Sequence, residues 1–146
     1  YEAAFAVIPL LVTFIPMLTD TGGNAGSQSS TMIIRGMAVG EIEARDILRV
    51  LWKELRVGVI VGVLLGLVNY VQLVVRFPGQ EMLCLTVVLS LLATVMLAKT
   101  IGCVLPIVAQ VLHLDPAIMA APLITTIVDA VSLIIYFQLA CSLLKI

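Results

Sequence analysis

The sequence predicts an all-helical bundle that crosses a membrane four times. Of its 146 residues, 62% are hydrophobic and only 12% are charged, and the mean hydropathy is +1.20. Soluble domains are about half apolar and a quarter charged, and one of this size leaves roughly 30% of the surface of its unfolded chain exposed. The chain also contains long uncharged runs, and a helix needs about 20 apolar residues to cross the hydrocarbon core.

Four runs of the chain are long and apolar enough to be spans: residues 3–36, 57–75, 82–112 and 116–144. The first is the least regular, because Asp20 and a patch rich in glycine and serine interrupt it. The last is uncharged except for Asp129. The second carries Gly58, Gly62 and Gly66 without polar neighbours. Small residues at this spacing predict close packing against another helix.

The segment between the first two spans predicts an amphipathic helix, at about residues 41–56, that lies in the membrane interface. Its apolar residues recur at nearly helical spacing, and its charged residues form a solvated face. Trp52 is expected at the level of the lipid headgroups. Membrane lipid is therefore the first partner that the sequence predicts.

Basic residues orient the predicted spans, because loops rich in lysine and arginine stay in the cytoplasm. Six basic residues fall on one side: Arg35, Arg45, Arg49, Lys53, Arg56 and Lys99. Two fall on the other side, Arg76 and Lys145. We therefore expect a multi-pass protein of the cell membrane with both ends of this chain on the outer side. That arrangement requires one further span upstream of Tyr1.

Charge and cysteine spacing argue against a nucleic-acid partner, a zinc site and a disulfide framework. A net charge of -1 gives no case for a nucleic acid, which calls for a clustered basic face. Three cysteines, Cys84, Cys103 and Cys141, lie far apart in apolar runs, and the chain has one histidine. This spacing predicts neither a zinc site nor a disulfide framework.

Asp129 is the first candidate site residue. It follows Ala117 by 12 residues, which is about 18 Å along a helix and close to the middle of the membrane. A carboxylate there costs roughly 2.5 to 3.5 kcal/mol and nearly always faces a partner or a wet cavity. No basic residue is expected at matching depth, so a cation from solution is the predicted partner. The alternative is a protonated side chain that is hydrogen-bonded inside the bundle.

Asp20 is the second candidate, at a similar predicted depth in the first span. It precedes a run of small and polar residues that extends to Thr31. Asn24 and Gln28, with exposed glycine carbonyls, would give this run oxygen ligands along a water-lined path. Oxygen ligands suit a hard cation, although composition does not distinguish magnesium from calcium, manganese or sodium. Asp20 has an alternative role as a helix N-cap.

The same run has a second interpretation as a surface for helix packing. Two pairs of small residues are four positions apart: Gly22 with Gly26, and Gly23 with Ser27. Such pairs let two helix backbones approach closely. A helix-packing role and a pore-lining role therefore both remain open for this run.

Two stretches resemble the membrane domain of the MgtE-type magnesium channels in order and spacing. They are PMLTDTGGNAGSQSSTMIIRGMA and LHLDPAIMAAPLITTIVDAVSLIIYF, and the resemblance covers essentially the whole chain. It implies a homodimer, so that a second copy of the chain is a partner, with a pore formed by the second and fifth helices of five-span subunits. The spans here would be the second to fifth, which agrees with the upstream span expected from the charges.

The resemblance also implies roles for individual residues. Asp129 would hold hydrated Mg²⁺, one copy from each subunit, and Thr125 would aim its carbonyl at the ion. Ala121 would lie one turn lower, toward the cytoplasmic mouth. Three residues fall on the pore-facing part of the signature, with Gly23 also assigned to the metal site: Gly23, Asn24 and Ser27. Asp20 departs from the family pattern, in which an uncharged residue is expected, and would strengthen cation attraction if it lines the path.

The function predicted from these features is passive magnesium transport rather than an enzymatic reaction. The resemblance implies cytoplasmic sensor domains upstream, which this chain does not contain, and no GxxxxGK[ST] nucleotide motif is present. The main alternative is a proton- or sodium-coupled carrier that uses Asp20 and Asp129 as exchange sites. Two further alternatives come from other classes: an intramembrane aspartyl protease, in which the two carboxylates would share a proton, and a helix-packing module without activity.

Overall fold

The structure, a computed structural model, describes residues 9–119 and 121–144, with side chains described outside residues 118–121. Four long helices account for most of this part of the chain: α1 (Ile15–Ala38), α2 (Ile47–Arg76), α3 (Glu81–Val111) and α4 (Ala121–Leu144). Residues 9–13 are also helical, and 3-10 helices cover Ala44–Asp46 and Pro116–Met119. The described residues contain no strand, so the predicted all-helical class is confirmed.

Three of the helices are long and apolar enough to cross a membrane: Ala44–Arg76, Glu81–Val111 and Pro122–Leu144. These correspond to α2, α3 and α4 and support a multi-pass membrane protein. Helix α1 has 24 residues, which is about 36 Å of helix and long enough to span. Its glycines, serines and single aspartate keep it less apolar than the other three. Three of the four predicted spans therefore have the length and composition of membrane helices, and the fourth, α1, does not reach the same hydropathy.

The structure differs from the expectation of an interfacial helix at residues 41–56 followed by a span at 57–75. One continuous helix, α2, runs from Ile47 to Arg76, because no glycine or proline interrupts the chain between residues 47 and 57. Several apolar side chains of the segment pack on α1 and α3 instead of facing lipid. Ile42, Ile47, Val50 and Leu51 contact a buried cluster of Ile33, Cys103 and Ile107.

Helix α3 lies at the centre of the bundle and contacts the other three helices, while α1 contacts both α3 and α4. The backbones of α1 and α3 meet at two glycines, since a Cβ atom added to Gly102 would overlap the carbonyl oxygen of Gly26. The three glycines spaced along α2 are buried against Lys99, Leu92 and Val88 of α3. The helix-packing interpretation of that glycine pattern is therefore confirmed.

A cluster of buried side chains holds α1 and α4 together at one end of the bundle. Leu18 of α1 and Tyr136 of α4 are fully buried in it. The hydroxyl of Tyr136 donates a hydrogen bond of 2.8 Å to the carbonyl oxygen of Leu11. Because a buried hydroxyl needs such a partner, this bond fixes α4 against the segment that precedes α1. The two helices that carry the predicted site residues are thereby held side by side.

Candidate cation site

A cleft of about 410 Å³ opens between the first half of α1 and the first half of α4. Seven residues line it: Pro16, Thr19, Asp20, Gly23, Asn24, Thr125 and Asp129. Five of them are site residues predicted from the sequence. Ser27 is not among the lining residues, and Ala121 begins α4 with its side chain outside the described part of the chain.

Helical spacing explains why these side chains share one cleft. Pro16 lies in the first turn of α1, where its missing N–H costs no hydrogen bond. Residues three and four positions apart lie on one face of a helix, which brings Asp20, Gly23 and Asn24 into line above Pro16. Because Asp20 is inside α1 and the N-cap is Phe14, the alternative role of Asp20 as an N-cap is wrong.

Gly23 lets α4 approach α1 closely at the cleft. A Cβ atom added there would lie 3.1 Å from Cγ2 of Thr125 and 3.8 Å from Oδ1 of Asp129. The first distance is tighter than an ordinary van der Waals contact between carbon atoms. Any larger residue would therefore displace α4 or its threonine. The missing side chain of Gly23 brings the Asp129 carboxylate beside the α1 backbone.

Neither carboxylate of the cleft has a protein partner among the described residues. No hydrogen bond or ion pair from residues 9–119 and 121–144 reaches the side chain of Asp20 or Asp129. The alternative of a hydrogen-bonded Asp129 inside a bundle has no supporting contact in this part of the chain. Two acids that face each other across one cleft repel, and an added cation relieves that repulsion.

The neutral groups of the cleft supply further oxygen atoms. The hydroxyl of Thr125 donates to the carbonyl oxygen of Pro122 at 3.0 Å, and that of Thr19 donates to the carbonyl oxygen of Ile15 at 3.1 Å. Each hydroxyl oxygen keeps lone pairs that can accept a hydrogen bond. The exposed Asn24 adds an amide oxygen. The cleft thus presents acceptors for the O–H groups of water.

The cleft does not form a closed metal cage. Among the described residues, no three or more histidine, cysteine, aspartate or glutamate side chains are close enough together to hold a metal ion. Magnesium gives up its water reluctantly and is commonly held by one or two carboxylates with several waters retained. Two carboxylates with surrounding acceptors suit a hydrated ion better than a bare one.

A neighbouring face of the same α1 segment packs against other helices, as the helix-packing interpretation of its small residues predicts. A Cβ atom added to Gly22 would lie 2.6 Å from Cγ2 of Thr94 and 2.9 Å from Cγ1 of Val128. One added to Gly26 would lie 2.9 Å from Cγ2 of Ile124. The glycines of this face pack α1 against α3 and α4, whereas Gly23 faces the cleft.

Two hydroxyl groups near this interface are buried without a partner. Oγ of Ser27 and Oγ1 of Thr94 accept or donate no hydrogen bond within the described residues. Ser27 lies one turn beyond Asn24 on α1 and was predicted to line the pore. Buried polar groups are almost always paired. The unpaired hydroxyl of Ser27 therefore lowers the stability of this arrangement.

Sequence reasoning missed a buried charge network on the other side of α1. Glu54 and Lys99 are 4% and 2% exposed, although the sequence predicts Glu54 on a solvated face and Lys99 on the cytoplasmic side. The Lys99 ammonium lies 3.2 Å from Oε2 of Glu54 and donates to Oγ of Ser29 at 3.2 Å, while Ser29 donates to Glu54. The signal was Lys99, which interrupts an apolar run and so required a buried partner.

Sequence comparisons identify the proteins that this chain resembles. The family model described as MgtE, divalent cation transporter, matches residues 15–139. The chain is 35% identical over 145 residues to the magnesium transporter MgtE of Thermus thermophilus, covering 99% of this chain and 32% of that protein. It is 33% identical over 140 residues to the magnesium transporter MgtE of Bacillus subtilis, covering 96% and 31%. The chain spans about a third of the length of these relatives.

Proposed function

The chain belongs to the MgtE family of divalent cation transporters, and on that basis we propose that it carries magnesium across a membrane through the cleft between α1 and α4. The family consists of transporters and not enzymes. One observation carries the proposal most directly. The Asp129 carboxylate, on a helix apolar enough to span a membrane, lines an open cleft with Asp20 and has no ion-pair partner among the described residues.

A charge at membrane depth costs roughly 2.5 to 3.5 kcal/mol on insertion scales, and it normally marks a path for ions or protons. A cation in the cleft offsets this cost. The carboxylates of Asp129 and Asp20 would attract the ion, and Asn24 and Thr125 would accept hydrogen bonds from its waters. We therefore assign magnesium to the cleft as a hydrated cargo and not as a resident cofactor.

We further propose that the complete path needs two copies of the chain. The cleft of a single chain is open on one side, and its two carboxylates do not enclose an ion. A symmetric homodimer with the clefts face to face would supply two copies of Asp129 around one axis. In that arrangement α1 becomes the fourth membrane span, since its cleft face would touch water and not lipid.

Orientation and energy source complete the proposal. The basic residues of the α1–α2 connection would lie in the cytoplasm, which puts both ends of this chain outside. Transport would be passive, because a potential of about 100 mV is worth roughly 2.3 kcal/mol per elementary charge and about twice that for a divalent ion. Gating would come from cytoplasmic sensor domains outside these 146 residues, a proposal that the greater length of the relatives supports.

Flux measurements on Asp129→Asn test the proposal. The protein in its natural full length is reconstituted into vesicles that hold a magnesium-sensitive dye. Loss of a charged acceptor is worth about 1.5 to 3 kcal/mol, so we expect magnesium entry to fall by about tenfold or more. Glu81→Gln is the matched control, because Glu81 is exposed at the start of α3 and does not line the cleft. Equal flux in both variants would contradict the proposal.

A proton- or sodium-coupled carrier is the second candidate, and the presence of two carboxylates in one cleft favours it. Such a carrier would move protons or sodium whenever it moves magnesium. The same vesicles, with an imposed pH or sodium gradient, equal magnesium on both sides and the membrane potential held at zero, distinguish the two mechanisms. A channel gives no net magnesium flux under these conditions, whereas net magnesium accumulation would replace the channel with the carrier.

A further inference from the structure

A second and larger cleft, of about 810 Å³, lies between the last turns of α1 and the first half of α2. Four of its lining residues carry positive charge: Arg35, Arg49, Lys53 and Arg56. All four are exposed. Among the described residues, the ion pairs are Arg45 with Glu43 and Lys99 with Glu54. None of the four cations of the cleft takes part in them. The cleft therefore holds four cations that have no anionic partner from the described protein.

The acidic residues of this cleft do not neutralise these cations. Glu54 lines its floor, but the carboxylate is buried and contacts Lys99 and Ser29. Asp46 accepts a hydrogen bond of 3.0 Å from the backbone N–H of Glu43. With Glu54 paired to Lys99, the four cations face only Glu41 and Asp46. The cleft retains a positive excess that suits an anion.

The position of the cleft on α2 indicates what kind of anion it would take. The charged part of α2 ends at Arg56, and residues 57–75 contain no charge. Trp52 is 63% exposed, and the guanidinium of Arg56 lies 6.0 Å from the centre of its ring. Aromatic and basic side chains at this boundary are typical of the level of lipid headgroups.

The same face of α2 continues with apolar side chains. Positions three and four apart share a helix face, so the face that carries the cations extends to Ile60, Leu64 and Leu67. These three side chains are 60%, 59% and 60% exposed. A phospholipid has a matching arrangement, with an anionic headgroup joined to long hydrocarbon chains. A small soluble anion would use only the basic half of this surface.

We propose that the second cleft binds an anionic phospholipid, with its phosphate among Arg35, Arg49, Lys53 and Arg56 and its acyl chains along the apolar continuation of α2. The site lies on the opposite side of α1 from the cation cleft and shares no lining residue with it. It requires only that α2 spans the membrane. The ion path proposed above is not a premise of it.

Trp52 provides the probe, because it is the single tryptophan of the sequence and lines the cleft. The full-length protein, with any tryptophan outside residues 1–146 replaced by phenylalanine, is placed in phosphatidylcholine nanodiscs. Phosphatidylglycerol or phosphatidylcholine with brominated chains is then added at equal mole fraction. We expect Trp52 fluorescence to be quenched about twofold or more strongly by the anionic lipid, because each nearby cation strengthens its binding several-fold.

Variants test whether the cations of the cleft cause the preference. Arg49→Gln with Lys53→Gln should abolish it, and both residues are exposed, so the fold should be retained and is checked by gel filtration. Arg45→Gln is the matched control, since Arg45 is exposed, pairs with Glu43 and does not line the cleft. A preference lost equally in the control would mean general surface attraction and would overturn the proposal, as would equal quenching by both lipids in the unmodified protein.

Two further measurements are needed. One distinguishes a bound lipid from soluble phosphate, and the other tests whether the lipid site is independent of the ion path. Inorganic phosphate should not displace the brominated phosphatidylglycerol, and displacement would show a site for soluble phosphate instead of a lipid. Asp129→Asn should keep the full lipid preference even where magnesium flux is lost. Lost preference in that variant would contradict the independence of the second cleft from the ion path.

Discussion

Two carboxylates of this protein, Glu54 and Asp129, differ in burial and in whether another residue neutralises their charge. Glu54 of α2 is 4% exposed and is held by Lys99 and Ser29 from the two neighbouring helices. Asp129 of α4 lines an open cleft beside Asp20, with no partner among the described residues. A buried charge must be compensated. Glu54 is compensated from within the protein and fixes helix positions, whereas Asp129 remains available for an ion from solution.

This difference predicts separable effects. Changes to the buried charge network, which we define as Ser29, Glu54 and Lys99, should alter stability first. Changes to the cation cleft should alter flux and leave stability nearly unchanged. Each variant is measured both as thermal unfolding in detergent and as magnesium flux in vesicles.

The largest effect is expected for Lys99→Met. Removing one member of a buried ion pair leaves the other charge uncompensated and costs about 3 to 5 kcal/mol. The double variant Glu54→Met with Lys99→Met removes both charges and should recover most of the loss, because apolar replacement of a whole buried pair is often neutral. A Lys99→Met protein as stable as the unmodified one would show that the pair is not buried as described.

An intermediate effect is expected at two neighbouring glycines that face different regions. Gly22→Ala would place a Cβ atom 2.6 Å from Cγ2 of Thr94, and overpacking of this kind costs about 1 to 3 kcal/mol. Gly23→Ala meets Cγ2 of Thr125 at 3.1 Å at the open cleft, so a small shift accommodates it. We expect Gly22→Ala to lower the unfolding temperature and Gly23→Ala to lower flux mainly. The reverse pattern would contradict the assignment of the two faces.

The smallest effect is expected for Asp20→Asn. Asp20 is exposed in the cleft, and interactions between exposed charges are worth about 0.2 to 1 kcal/mol. Magnesium flux should fall about two- to fivefold at low magnesium and low ionic strength, and the difference should shrink as salt screens the charge. Stability should not change. A loss of flux as large as that of Asp129→Asn would mean that Asp20 is a direct ligand and not an attracting charge.

The cation cleft was largely predictable from the sequence, because its signal is local. Asp20, Gly23 and Asn24 follow helical spacing within one run, and Asp129 is a single charge in 29 otherwise uncharged residues. The polar run and Asp129 are both exceptions to the rule that membrane helices are apolar. The pairing of α1 with α4 was implied by the family resemblance, and the structure brings five of the predicted residues to one cleft.

The buried charge network was not predicted, because it depends on tertiary contacts. Glu54 lies in a segment where acidic and basic residues alternate, a composition typical of a solvated face. Its partner Lys99 is 45 residues away, and spacing on one helix gives no information about such a pair. The continuity of α2 was missed for a related reason. The composition changes from charged to apolar after Arg56, but the helix continues without a break.

Locating the ion in a crystal tests whether magnesium passes beside Asp129. Manganese has the same charge as magnesium and scatters anomalously, so crystals of the full-length protein grown with manganese reveal its position. We predict an anomalous peak in the cation cleft beside Asp129, separated from the carboxylate by about one water layer and absent in Asp129→Asn. Anomalous peaks confined to other parts of the molecule, with none in this cleft, would contradict the account.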